Sequence, residues 1–155
     1  MKWLRKEWDV DQETIELIIT ADKQAQQKWF NELESQGFDF LVLDRYLASQ
    51  LTYSIANGMD PHWVVQLQKK MRPPDIEIYL DIEPEESMKR KGKYGENDRY
   101  ESDLQLLTRV RELYLDMPYK RLSYSCPFVI VDARSASVGK VHQNIIDILR
   151  FFEFL

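Results

Sequence analysis

An apolar run, "LVLD", breaks at residue 44 into a carboxylate and a guanidinium, Asp44-Arg45, and Ser49, Gln50 and Tyr53 follow. A guanidinium suits bidentate binding of a phosphate or carboxylate. The neighbouring carboxylate can hold it in place, accept a proton, or bind a metal through water. Ser49 and Tyr53 are four apart and share a face of a helix. Hydroxyl, amide and aromatic groups at one mouth fit recognition of a flat heterocycle with a sugar. The same residues also fit an ion pair beside a solvated helix face. A second concentration of charge is "KRKGK" at 89–93, four cations in five residues. It fits a cationic loop that closes over an anion, or a solvated basic loop.

Composition narrows what these groups can serve. At 155 residues the chain has length for one domain, 1–155, with a real core. Hydrophobic residues make up 44% and charged residues 30%, an ordinary soluble balance. A net charge of −5 argues against broad nucleic-acid binding. The single cysteine, Cys126, excludes an internal disulfide framework and fits a reducing compartment. No apolar run approaches the roughly 20 residues of a membrane span, and "MKWLRKEWDV" is too polar for a secretory signal. A cytoplasmic protein with no membrane partner is expected. His62 and His142 have no second ligand at metal spacing, and Trp3, Trp8, Trp29 and Trp63 are expected in the core or an interface.

Three apolar runs predict strands: "FDFLVLD" ending at Asp44, "IEIYLD" ending at Asp81 and "FVIVD" ending at Asp132. Residues 40–43 and 128–131 are nearly continuous in large apolar side chains, as in strands buried on both faces. "IEIYL" alternates and matches less well. Pro74 and Pro127 stand where a strand begins. Helical patterns separate the runs. Residues 11–36 carry Ile15, Ile18, Ile19, Ala25, Trp29 and Leu33 as an apolar stripe, with Asp11 as N-cap and Gly37 as stop. Further helices are predicted over 46–56, ending near Asn57-Gly58, and over 61–71, with Asp60 as cap. Helices over 97–117 and 137–153 complete the set, the last with a stripe of Val138, Val141, Ile145, Ile148, Leu149 and Phe152. Strands alternating with helices predict an α/β fold with a parallel sheet, and such sheets bind ligands beyond their carboxyl ends. Asp44, Asp81 and Asp132 would converge on that edge, or would simply cap the chain as it leaves each strand.

Against this framework, "DRYLASQLTYS" at 44–54 resembles the signature of thymidylate kinases, nucleoside monophosphate kinases of the P-loop type. The order of the rest is similar. "TADKQAQ" resembles the substrate-side helix, and "PPDIEIYLDIEPEESMKRK" the Pro-Asp strand and the helix into the lid. "ENDRYESDLQLLTRVRELY" resembles the lid exit and long helix, and "VIVDARSASVGKVHQNI" the last strand and closing helix. The resemblance implies a P-loop kinase-like parallel sheet flanked by helices. It implies transfer of the γ-phosphoryl of ATP to dTMP, giving dTDP, with Mg2+ as cofactor, in a homodimer. It places Arg45 on the dTMP phosphate and Asp44 on the phosphates and metal. Ser49 and Gln50 belong to the substrate side, Gln50 at the thymine edge, and Tyr53 crowds the 2′ carbon against ribose. Glu101 matches a position near the nucleoside. A lid at about 89–99 sets Arg90, Lys93 and Arg99 over ATP, Arg90 and Arg99 as catalytic cations. Arg134, in the loop 132–135, matches a position beside the adenine.

The sequence also departs from the family pattern. Its five glycines stand at 37, 58, 92, 95 and 139, so no pair has the spacing of G-x-x-x-x-G-K-[ST]. Gly139-Lys140 is followed by Val141, and Arg134 occupies the place of the first glycine. The fold expected is therefore the family's without its first two strands. A fragment or truncated reading frame of a kinase is the preferred account. Completion by another chain, or a rearranged sheet without catalysis, are the alternatives. Ile19 stands where the family has Phe on thymine, and Lys23 where it has Arg. Another deoxynucleoside monophosphate is thus an alternative substrate, and a non-catalytic nucleotide-binding or interaction module an alternative function.

Overall fold

Capping groups set where several helices of this chain begin, and a few buried side chains set how most of them pack. A computed structural model of the chain describes Trp3, Arg5 and residues 7–92, 100, 102–120 and 126–155. These form two compact units, Met1–Pro73 and Pro74–Leu155.

Unit 1 holds three mutually packed helices, α1 (Gln12–Ser35), α2 (Leu47–Ala56) and α3 (Pro61–Gln68). Asp11 starts α1 by accepting a 2.6 Å hydrogen bond from the Thr14 backbone N–H. Asp60 starts α3 in the same way through His62, with Pro61 at the first helical position. Gly37 and Gly58, at φ +77° and +87°, take the left-handed turn that ends α1 and follows α2. Ile15, Leu47, Leu51 and Val64 are 0% exposed, with Phe30 and Met71 nearly so. Burying each contributes about 2 kcal/mol over leaving it in water. The core does not follow the whole predicted stripe of α1. Ile15 and Phe30 are buried, while Ala25 and Trp29 face solvent. Of the other tryptophans expected inside, Trp3 is buried and Trp8 is exposed.

The strand predicted over 38–44 is not formed. Residues 38–43 are irregular, and Phe38, Phe40, Leu41 and Val42 are exposed, Val42 to 88%. A strand is stable only when its N–H and C=O groups find a ladder partner. Among the described residues unit 1 contains no other strand, so these groups have no ladder to join.

Unit 2 contains β1 (Glu77–Asp81), α4 (Pro84–Gly92), α5 (Leu104–Lys120), β2 (Phe128–Asp132) and α6 (Val138–Phe151). The strands pair in parallel, with Glu77 opposite Phe128 and Asp81 opposite Asp132. Two of the three predicted strands thus form, and they pair in parallel, as the alternation of strands and helices predicts. Tyr114 of α5 stacks on Tyr79 of β1 at 4.3 Å between ring centroids and reaches Phe128 of β2 at 6.4 Å. Leu106, Val110 and Met117 of α5 and Val131 of β2 are buried. β2 is not buried on both faces as expected, since Ile130 is exposed. Of the helix predicted over 97–117, α5 begins at Leu104, and residues 97–99 and 101 lie outside the described residues. The stripe of α6 is not a buried one: the helix contains no buried residue, and Val138 is 88% exposed. Helix α4 has little apolar periodicity and is stabilised by charge order, with Glu85 and Glu86 in its first turn and Lys89, Arg90 and Lys91 in its last. Cys126 lies half-buried ahead of β2, and its thiol is pushed up to about 11, first by burial and then by the Glu77 carboxylate. Among the described residues no helix is long and apolar enough to cross a membrane.

Candidate functional site

In unit 1 the chain turns sharply just before α2. Arg45 has φ +66°, a region that costs an L-residue with a long side chain about 1–2 kcal/mol. The residues that follow hold it there. Leu47 and Ala48 are buried, and the Tyr46 hydroxyl donates to the Arg72 carbonyl at 3.1 Å and accepts from Gln27 Nε2 at 3.0 Å. Burial raises the Tyr46 hydroxyl above its ordinary range, against the lowering effect of Gln27 and Arg72. The turn sets the Arg45 guanidinium over the Tyr53 ring, 5.1 Å from its centroid. Asp44 and Arg45 are both exposed, so a ligand can reach the cation without disturbing the core.

One turn deeper, α1 and α2 exchange polar contacts. Lys23 Nζ donates to the Tyr46 carbonyl at 2.6 Å and to Gln50 Oε1 at 3.1 Å. Gln68 Nε2, from α3, donates to the same Gln50 oxygen at 3.1 Å. Gln50 Nε2 donates to Glu16 Oε2 at 3.1 Å and to Thr20 Oγ1 at 3.0 Å. Glu16, Gln50 and Gln68 are 1%, 5% and 1% exposed, so these bonds are made without competition from water. Gln68 Oε1 has no hydrogen-bond partner among the described residues. Unit 1 thus brings together Lys23 with Gln50 and Arg45 with Tyr53, with Ile19 one turn before Lys23 on α1 and Ser49 beside Gln50, both half-buried. Glu16, Thr20 and Gln68 were not among the residues read from the sequence. Glu16, Thr20, Lys23 and Gln27 recur at spacings of four, three and four, one face of α1, and that polar stripe was the available signal.

In unit 2 the carboxyl edge of the strand pair carries a charged cluster. Asp81, buried, is forked by Arg111 through Nε at 2.7 Å and Nη2 at 3.1 Å, and Arg111 Nη1 also pairs with Glu83. The Asp81 hydrogen bonds, ahead of the opposing effect of burial, hold the Arg111 guanidinium above its ordinary range. Arg134 forks Asp132 at 2.9 and 2.8 Å and lies 3.9 Å from both Asp81 and Glu83. That contact holds the Asp132 carboxyl far below the usual carboxylate range and raises Arg134. Arg90 Nη2 donates to the Arg134 carbonyl at 3.3 Å, so two of the expected ATP-side residues do meet. Lys93, Arg99 and Glu101, and with them the lid beyond Gly92, lie outside the described residues. Asp81 and Asp132 were legible as strand-end carboxylates; their guanidinium partners were not.

Residues 2–145 match the sequence profile described as Thymidylate kinase. The chain belongs to the thymidylate kinase family. It is 32% identical over 119 residues to a probable thymidylate kinase of Sulfurisphaera tokodaii, covering 77% of this chain and 58% of that one. It is 26% identical over 147 residues to the thymidylate kinase of Schizosaccharomyces pombe, covering 95% and 68%. With a probable thymidylate kinase of Sulfolobus acidocaldarius it shares 30% over 104 residues, 67% and 52%. The chain thus spans about half to two thirds of the length of the curated relatives it matches. The thymidylate kinase match takes in both the Arg45–Tyr53 and Lys23–Gln50 contacts of unit 1 and the charged edge of unit 2.

Proposed function

We propose that this chain is a nucleoside monophosphate kinase that moves the γ-phosphoryl of ATP to the 5′-phosphate of dTMP, giving dTDP and ADP. Family membership supports kinase chemistry, and one observation carries the acceptor side: an exposed Arg45 held by a left-handed turn over Tyr53, beside the Lys23–Gln50 pair. An oxygen of the dTMP phosphate attacks the γ-phosphorus, and the bond to the β-γ bridging oxygen breaks, ADP keeping its electron pair. The attacking oxygen is already anionic at neutral pH, so no strong general base is required; alignment and charge neutralisation do the catalysis. Arg45 holds the acceptor phosphate. Tyr53 packs against the 2′ carbon, leaving no room for a hydroxyl. Ser49, Lys23 and Gln50 lie on the base and sugar side, and Ile19 covers the ring face. Glu101 belongs to the same side. Arg90, Lys93 and Arg99 bring positive charge to the transferring group from a lid at about 89–99, and Arg134 lies toward the adenine.

Asp44 fits a Mg2+ ion that keeps most of its waters, because one exposed carboxylate is what such an ion takes from protein when phosphates supply its other oxygens. When bound, Mg2+ neutralises developing charge on the phosphates. A homodimer in the cytoplasm completes the proposal.

Calorimetric titration with dTMP, with a coupled assay of ADP release, tests it. Binding with turnover is the expected result. Arg45→Ala should weaken dTMP binding by on the order of tenfold or more while leaving thymidine binding near wild type; equal losses would refute the phosphate role. Tyr53→Ala should relax discrimination against the ribonucleotide. A second reading, a nucleotide-binding module without catalysis, is favoured by the absence of a G-x-x-x-x-G-K-[ST] loop from these 155 residues. Binding without turnover would select it. The pair Ile19 and Lys23 makes another deoxynucleoside monophosphate the first alternative substrate to titrate.

A further inference from the structure

Three groups of unit 1 close a ring of hydrogen bonds behind the Arg45 turn. The Tyr46 hydroxyl donates to the Arg72 carbonyl at 3.1 Å, and the Arg72 backbone N–H donates to Gln27 Oε1 at 2.8 Å. Gln27 Nε2 donates back to the Tyr46 hydroxyl at 3.0 Å. The ring can run in one direction only. A carbonyl has no hydrogen and a backbone N–H has no lone pair, so the Gln27 amide cannot turn over. The single phenolic hydrogen must likewise point at Arg72. The second hydrogen of the amide goes to the Lys23 carbonyl at 2.9 Å, one turn back along α1. Both backbone groups of Arg72 are thus gripped, and its guanidinium forks Glu34 in the last turn of α1 at 2.7 and 3.3 Å. Arg72 is followed by Pro73-Pro74, whose rings leave no backbone N–H and little freedom in φ. Fastening Arg72 therefore fixes the end of unit 1, which closes at Pro73.

The tyrosine of this ring is also the residue that follows the left-handed turn. Arg45, at φ +66°, is held in a conformation its side chain disfavours, and such turns persist only where the surroundings over-determine them. The Tyr46 ring stands edge-on to the buried Phe30, 6.0 Å between centroids, and its hydroxyl is the one polar group by which the side chain can be fastened. We propose that Tyr46 is a positioning residue that joins two events, so that binding of the acceptor phosphate at Arg45 and fastening of the chain at Arg72 form one equilibrium. This rests on the reading above that Arg45 takes the phosphate. Relaxation of the turn carries Tyr46 with it and opens the ring, and opening of the ring releases Tyr46 and lets the turn relax. A phosphate that binds only the held turn then protects the ring, and by reciprocity the ring raises affinity for the phosphate.

Tyr46→Phe tests this, because it keeps the aromatic ring against Phe30 and removes only the hydroxyl. Calorimetry on the full chain should show dTMP binding weakened about fivefold, with thymidine binding within about twofold of wild type. Equal losses for the two ligands, or no loss for dTMP, would overturn the proposal. The reciprocal arm follows the Arg72 backbone N–H by NMR. With dTMP at about ten times its dissociation constant, exchange of that proton through ring opening should slow about tenfold in wild type and hardly at all in Tyr46→Phe. The same slowing in both chains, or none in wild type, would show that the two events are independent. Gln27→Leu opens the ring from its other side and should reproduce both results; wild-type behaviour there would also count against the coupling. A third arm needs no ligand. The Arg45 side-chain protons, shifted upfield by the Tyr53 ring in wild type, should move toward unfolded values in Tyr46→Phe. An unmoved signal would remove the hydroxyl's hold on the turn. A wild-type chain that ignores dTMP while the Arg45 signal still moves would defeat the nucleotide reading and leave that hold standing.

Discussion

The two units use polar side chains in opposite ways. Unit 1 buries uncharged amides and hydroxyls around one carboxylate and one ammonium, and Gln50, Thr52, Ser54 and Gln68 are all nearly inaccessible. Unit 2 gathers full charges at the edge of two strands, where Asp81 is buried but Asp132 and Arg134 are half-exposed or more. Water decides what each is worth. A buried network is strong while complete and costly once broken, because no solvent can replace a lost partner. An exposed ion pair is screened and contributes less to stability than a buried one, even where its geometry is good. Within unit 2 the rule separates Arg111–Asp81 from Arg134–Asp132, two forks of similar shape at different depth.

That contrast can be broken at four points. The largest effect is expected from Arg111→Met, which strands the buried Asp81 carboxylate. Unit 2 should lose about 3 kcal/mol, read from urea unfolding and from faster amide exchange along β1 and β2. A loss below about 1 kcal/mol would mean that depth does not govern this edge. Gln50→Leu should cost unit 1 about 2 kcal/mol by leaving Glu16 Oε2 and Thr20 without their donor. Next comes Ser137→Ala, which removes the N-cap that accepts from the Lys140 N–H at 3.3 Å. Its expected cost, about 1 kcal/mol, would show as fraying of the first turn of α6 by amide exchange. The smallest stability effect is expected from Arg134→Ala, and its signature is electrostatic. The folded Asp132 carboxyl lies below its unfolded value, so its contribution is present above the unfolded pKa and is lost as pH falls through the folded one. In Arg134→Ala the Asp132 titration, followed by carbon NMR, should move up into the usual carboxylate range, and the acid-side loss of stability that this group contributes should shrink. An unmoved titration would show that Arg134 is not the cause.

What the sequence made legible follows the same division between local and distant causes. The starts of α1 and α3 were readable because Asp11 and Asp60 act within three residues of themselves. β1 and β2 were readable as strands because both runs are apolar and follow a proline, while their pairing with each other was not. Residues 38–43 carry the same apolar signal and form no strand, because a strand depends on a partner that composition cannot supply. α4 carries no apolar stripe and was implied only by the family resemblance, since it buries little and is stabilised by the order of its charges. In the site, Arg45 and Tyr53 are eight apart on one short stretch, and their contact could be anticipated. The bonds of Gln50 to Glu16 and Gln68 span 34 and 18 residues, and the polar stripe on α1 marks Glu16 without naming its partner. Arg111 likewise reaches Asp81 across 30 residues.

The half-buried thiol ahead of β2 has a practical consequence. Burial and the Glu77 carboxylate raise the Cys126 thiol to about 11, so little of it is thiolate at pH 7. A second cysteine introduced at an open position such as Val138 would therefore react with a maleimide dye far faster than the native one. Labelling at neutral pH should favour the introduced cysteine over the native one.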